Sequence, residues 1–130
     1  MATTKTYSIS SNQPMKEYFQ VMQGQTATAT VSGTWSGDPG SGKTCGAAGN
    51  GVPPSAGFPV AGPQWCLCWS ITPNEGVIPS PQDVTGWFTS DNQTIDWGGT
   101  SPGDGRYHFQ INDDNLSDNS GSLTLSVVFS

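Results

Sequence analysis

The chain has 130 residues, a net charge of −6 and only four lysines and arginines. That is the length of one domain with one core, and it leaves no means of building the basic patch that nucleic acid or an anionic membrane surface requires. No apolar run approaches the roughly 20 residues of a membrane-spanning helix.

Charged residues make up 11% of the chain, with 17 glycines and 10 prolines. A typical soluble domain carries about 25% charge. This composition reads as a turn-rich all-β protein. Five Trp, five Phe and three Tyr supply the apolar area that separates a folded chain from a disordered one.

The N-terminal stretch MATTKTYSISSNQP lacks the apolar core of a secretory signal. The expectation is synthesis in the cytosol, with any release or surface display independent of such a signal. Short strands are expected at 5–10 and 17–22. Residues 25–35, QTATATVSGTW, alternate with period two: Ala27, Ala29, Val31, Gly33 and Trp35 on one face, threonines and Ser32 on the other. β-Branched Thr suits a half-exposed pleated surface.

Residues 36–64 are rich in Gly and Pro and too long for a hairpin, so they read as a surface loop able to shape a binding site. The GSGK at 40–43 lacks the full spacing of a phosphate-binding loop.

The stretch WCLCWSI at 65–71 alternates again: Trp65, Leu67, Trp69 and Ile71 against Cys66, Cys68 and Ser70. The cysteines number three, with Cys45 the other. An odd count argues against a closed disulfide framework. C-x-C is not the spacing of common structural zinc sites. Small half-buried thiols are the expectation.

A short strand is expected at 84–89. Trp87 falls there and reads as core. Trp97, in TIDWGGTSPGDG, is the better candidate for an exposed sugar-stacking face. The stretch GRYHFQI at 105–111 puts Tyr107, Phe109 and Ile111 inward and Arg106, His108 and Gln110 outward. The stretch SLTLSVVF at 122–129 puts Leu123, Leu125, Val127 and Phe129 on one face. No helical stripe appears in any window of twelve residues. Strands punctuated by Gly, Pro, Asn and Asp suggest a β-sandwich or a jelly roll.

Between the last two strands, INDDNLSDNSG at 111–121 holds three of the chain's ten acidic residues and three asparagines. A two-residue hairpin turn needs none of this. Packed carboxylates repel one another unless a cation lies among them. Ca²⁺ takes six to eight oxygens from carboxylates, amides and carbonyls. Mg²⁺ prefers fewer protein ligands and keeps its waters. The loop is not an EF-hand, because Asp118 stands where the glycine should be and Thr124 where the final glutamate should be. On composition alone, side chains capping their own backbone in Asx-turns explain the loop as well as calcium does.

SGTW at 32–35, CLCWSI at 66–71, GVIP at 76–79 and IND…DNSGSLTLSV up to the last strand come in the order found in the calcium-dependent galactose-binding bacterial lectins of the LecA (PA-IL) type. The resemblance covers roughly residues 7–129, and its most specific part is the ND…DNSGS stretch. It implies a small jelly-roll sandwich, often tetrameric, with one Ca²⁺ before the last strand whose coordination is completed by sugar hydroxyls.

On that resemblance Asp113 is a carboxylate ligand, and Asp118 and Asn119 are the adjacent side-chain ligands. A carbonyl comes from Asn115 or Leu116, taken here as Leu116, and another from Gly37 or Asp38, taken as Asp38. The sugar face then falls to Asp38, Pro54, Ser55, Asp113, Asp114 and Asp118. Two departures stand out. The tyrosine of the galactose-specific members is replaced by Gly37 or Asp38. Their sugar-contacting histidine and glutamine are missing from PPSAGF at 53–58.

Catalysis is not expected. His108 has no sequence-adjacent base partner, no G-x-S-x-G elbow occurs, and a cation between Asp113 and Asp118 would keep both ionised, leaving no general acid. The implied partners are galactose-type glycans, presented to a dimer or tetramer. The competing expectation is a calcium-stabilised structural or protein-interaction domain that binds no sugar. A third is an adhesion or toxin-associated module for a protein partner.

Overall fold

The computed structural model describes residues 2–14, 16–22, 25–38, 43–50, 64–72, 86–96, 105–113 and 116–130. These form an all-β sandwich of ten strands, with a single 3-10 turn at Leu116–Asp118 and no α-helix among the described residues. The strands are β1 (Thr3–Ser10), β2 (Lys16–Val21), β3 (Ala27–Ser32), β4 (Trp35–Asp38), β5 (Lys43–Cys45), β6 (Leu67–Thr72), β7 (Gly86–Trp87), β8 (Thr94–Asp96), β9 (Gly105–Ile111) and β10 (Ser120–Phe129).

One sheet has the order β5-β4-β10-β3-β8, with β1 on the other side of β10; the second has the order β2-β9-β6-β7. The pairings are antiparallel throughout. β10 is the spine of the larger sheet. β1 runs beside it from Ser10↔Ser122 to Thr3↔Phe129, and β3 covers its other side from Thr124↔Ser32 to Phe129↔Ala27.

The alternation of apolar residues becomes the core where two inner faces meet. Ala27, Ala29 and Val31 of β3 and Leu123, Leu125 and Val127 of β10 are buried against Leu67, Tyr107, Phe109 and Ile111 of the smaller sheet. Phe19 knits the aromatic part, stacking on Tyr107 at 4.9 Å and meeting Phe129 edge-on at 5.5 Å. Truncating a core side chain such as Leu125 to Ala costs about 2–5 kcal/mol, transfer and cavity terms together.

Four expectations change. The stretch 25–35 is two strands divided at Gly33, which takes a positive φ of 98°, although Trp35 resumes the register of β3 against β10. The segment opening at residue 36 begins as a β4–β5 hairpin, with Trp35 opposite Cys45 and Asp38 opposite Lys43. Of the residues expected outward on β9, His108 and Gln110 are buried and Arg106 is half-buried, and Cys66, Cys68 and Ser70 beside β9 are buried as well. β6 and β9 are the inner strands of their sheet. Instead of facing solvent, His108 Nδ1 lies 3.1 Å from the Arg106 carbonyl. Cys66 and Cys68 are therefore fully buried thiols, and only Cys45 is half-exposed.

The last change concerns the acidic loop. β9 and β10 lie in different sheets, so the connection between them does not close a hairpin.

Candidate metal and ligand site

β9 delivers the chain to the end of the sandwich at Ile111. Asn112 is held there by two backbone hydrogen bonds. Its N–H donates to the Cys66 carbonyl at 2.8 Å, and its carbonyl accepts from the Trp65 N–H at 2.7 Å. Its side chain also bonds the Cys66 sulfur. The next residue, Asp113, is only 8% exposed.

The 3-10 turn follows, and the Asn119 N–H donates to the Leu116 carbonyl at 3.1 Å. Asn119 is 5% exposed. Its Nδ2 donates to the Ser11 carbonyl at 2.8 Å. Its Oδ1 is buried and accepts no hydrogen bond among the described residues. Ser11 closes the bracket, with both its N–H (3.1 Å) and its hydroxyl (2.8 Å) donating to the Gly121 carbonyl.

β10 then starts against β4, Ser120 opposite Ser36 and Gly121 opposite Trp35. The 3-10 turn packs on β4. The Cys45 thiol is pushed up to about 12 by burial first, then by the fields of Asp91 and Asp113. Both carboxylates therefore face the β4–β5 hairpin, where Gly37 and Asp38 also lie. Topology thus gathers Asp113, Leu116, Asp118, Asn119 and Asp38 at one end of the molecule, the backbone alone being described for Asp38 and Asp118.

The donor set suits a hard cation. It consists of oxygens, and a buried amide oxygen without a partner costs about 1–3 kcal/mol unless something else satisfies it. A calcium ion held by Asp113 and Asn119 Oδ1 would do so. The Leu116 carbonyl is already engaged by Asn119, so it has one lone pair left to give. Among the described residues no three His, Cys, Asp or Glu side chains form a metal-binding group. Asp114, Asn115, Pro54, Ser55 and Trp97 lie outside the described residues.

Next to this end, Trp65 takes the only positive φ of a non-glycine among the described residues, 69°. Its ring meets Trp35 edge-on at 5.6 Å and lies on Gly37. A Cβ on Gly37 would sit 2.7 Å from the indole carbons. A side chain at Gly37 would therefore have to displace the Trp65 ring.

Sequence reasoning missed Ser11, Asn112 and Asp91. Asp91 accepts a 3.1 Å hydrogen bond from the Ala48 N–H and reaches this end from the β7–β8 connection. Only the fold brings it there. Trp87 is half-buried on β7 opposite Cys68, and the core role falls to its neighbour Phe88, edge-on to Trp69 at 5.2 Å. No family model matches the chain, and no curated protein matches it.

Proposed function

We propose that this protein is a calcium-dependent carbohydrate-binding lectin, with galactose-type glycans as the first ligands to test. The observation that carries the reading is the Asn119 amide oxygen, buried without a partner among the described residues in the loop that also buries Asp113. In the proposed site Asp113 and Asp118 supply charge, Asn119 Oδ1 a neutral ligand, and the carbonyls of Leu116 and Asp38 complete the protein's share. The bound ion would supply open coordination positions for two sugar hydroxyls. Ser11 and Asn112 act as positioning residues, holding the two ends of the loop against β10 and β6. Single sites for sugars are weak, so a dimer or tetramer would gain by avidity.

The rewritten space at Gly37 favours a second reading, a domain in which calcium only pins the loop. A glycan array with Ca²⁺ and again with EDTA separates the two. Glycan signals that vanish with EDTA and with Asp113→Ala support the lectin. A blank array in both conditions, together with a melting temperature that falls on chelation, leaves the structural domain.

A further inference from the structure

The end of the sandwich away from the acidic loop is built differently. Among the described residues β1 has a hydrogen-bonded neighbour only in β10, and β2 only in β9, and residues of both edge strands line one opening of the sandwich. Positions of one parity on β1 point inward. Ile9 is sealed at 1% exposure, but Tyr7 is half-buried and Lys5 and Thr3 are exposed.

The inward stripe of β1 thus opens into a cavity of about 660 Å³ bounded by β1, β2 and the end of β10. Phe19 and Phe129 form its apolar surface, with Tyr7 tilted on Phe19 at 5.4 Å. Tyr18 and Met22 line it too, and Met22 at 53% is the exposed large apolar side chain among the described residues.

The chain carries −6, yet among the described residues no Asp or Glu side chain lines the cavity, while Lys5 does, with Ser130 also at its wall. Lys5 makes no ion pair or hydrogen bond among the described residues. Lys16 Nζ sits 5.0 Å over the Tyr18 ring. Glu17, the nearest acid on β2, is paired with Arg106 at 3.3 Å. Lys5 is thus the cation that lines the cleft among the described residues, and Lys16 stands behind Tyr18.

Ligand cavities commonly measure roughly 300–1,000 Å³, mostly apolar with a few placed polar groups. We propose that this cleft is a binding site for a small amphipathic anion. An aromatic or short apolar body lies against Phe19, Phe129, Tyr7 and Tyr18, and a carboxylate or sulfonate meets Lys5. The site is independent of the calcium loop. A lysine turned inward on an edge strand also deters strand-to-strand association, and the experiment separates that role from ligand binding.

The probe is 3-phenylpropionate against its neutral analogue 3-phenyl-1-propanol, titrated by NMR at low salt. EDTA is present so that no carboxylate binds through calcium. The anion is expected to bind about three- to fivefold tighter than the alcohol, the worth of one partly exposed ion pair, with shifts at Tyr7 and Tyr18. Lys5→Gln should bring the two within about twofold, and Met22→Asp, at the exposed rim, should weaken the anion selectively. Absence of binding by both probes at 10 mM (about the weakest fragment affinity of interest) would overturn the proposal. Equal affinities in the unaltered protein, or a preference for the anion that survives Lys5→Gln, would overturn it as well and leave Lys5 as an edge guard.

Discussion

Trp65 and Gly37 depend on each other. A tryptophan at φ 69° costs about 1–3 kcal/mol in backbone strain and persists because Asn112 holds its N–H and its ring is seated on Trp35 and Gly37. Gly37→Ala puts a methyl 2.7 Å from that ring. It should cost about 1–3 kcal/mol by overpacking, and less in a Trp65→Ala background. Urea unfolding of the four proteins of that cycle measures the coupling, and strict additivity would mean that the ring moves aside freely.

The buried thiols make a pH prediction. Burial, the largest cause, raises Cys66 from 9.0 to about 12, and it raises Cys45 to about 12 with help from Asp91 and Asp113. Cys68 is raised further by burial. The unfolded chain sheds these protons near pH 9, while the native chain keeps them. Stability is therefore fully present below pH 9 and lost as pH climbs from 9 towards 12. Burial raises Tyr7 and Tyr18 in the same direction. The difference between the unaltered protein and Cys66→Ala isolates the thiol: the urea midpoint of the variant should fall less steeply over this window.

At the scale of elements, β10 changes partner along its length, from β4 at Ser120–Gly121 to β3 from Thr124 onward. The gap is bridged by two glycines at positive φ, Gly33 at 98° and Gly121 at 89°. Gly121→Ala should cost about 1–3 kcal/mol, since a Cβ there also lies 3.2 Å from the Trp35 Cα. Because Ser11 hangs on the Gly121 carbonyl and holds Asn119, the same variant should blunt the melting-temperature response to calcium. A response equal to that of the unaltered protein would show that the Ser11 bracket does not position the loop.

The long strands were legible in the sequence because alternation over six or more residues is a local signature of a pleat with one buried face. β5 and β8 have three residues each, too few to alternate. Alternation also misled at His108 and Gln110. It reports which residues share a face, not whether the second face is covered, and β9 is covered on both.

For the whole molecule the decisive quantity is what calcium adds to stability. If Asp113 and Asn119 hold the ion, Ca²⁺ at about 100 times its Kd adds about 2.7 kcal/mol. For a domain of this size that raises Tm by roughly 10 °C. Differential scanning calorimetry with Ca²⁺, Mg²⁺ and EDTA measures this, and Asp113→Ala should erase the calcium-specific part. An unchanged Tm would leave the acidic loop as a set of Asx-turns.

The all-β class, the inward stripes of β3, β9 and β10, and the gathering of carboxylates and amides at 112–119 were all readable in one dimension, because each is a property of neighbouring residues. The partners of that loop were not. Ser11 lies about a hundred residues before it, and Asp91 and Trp65 come to this end from separate connections. Lys5 looked like any surface lysine on an alternating strand until β1 and β2 were seen as edge strands lining one opening. Which strands become neighbours is set by how two apolar faces close over one core, and that closure depends on the whole chain at once.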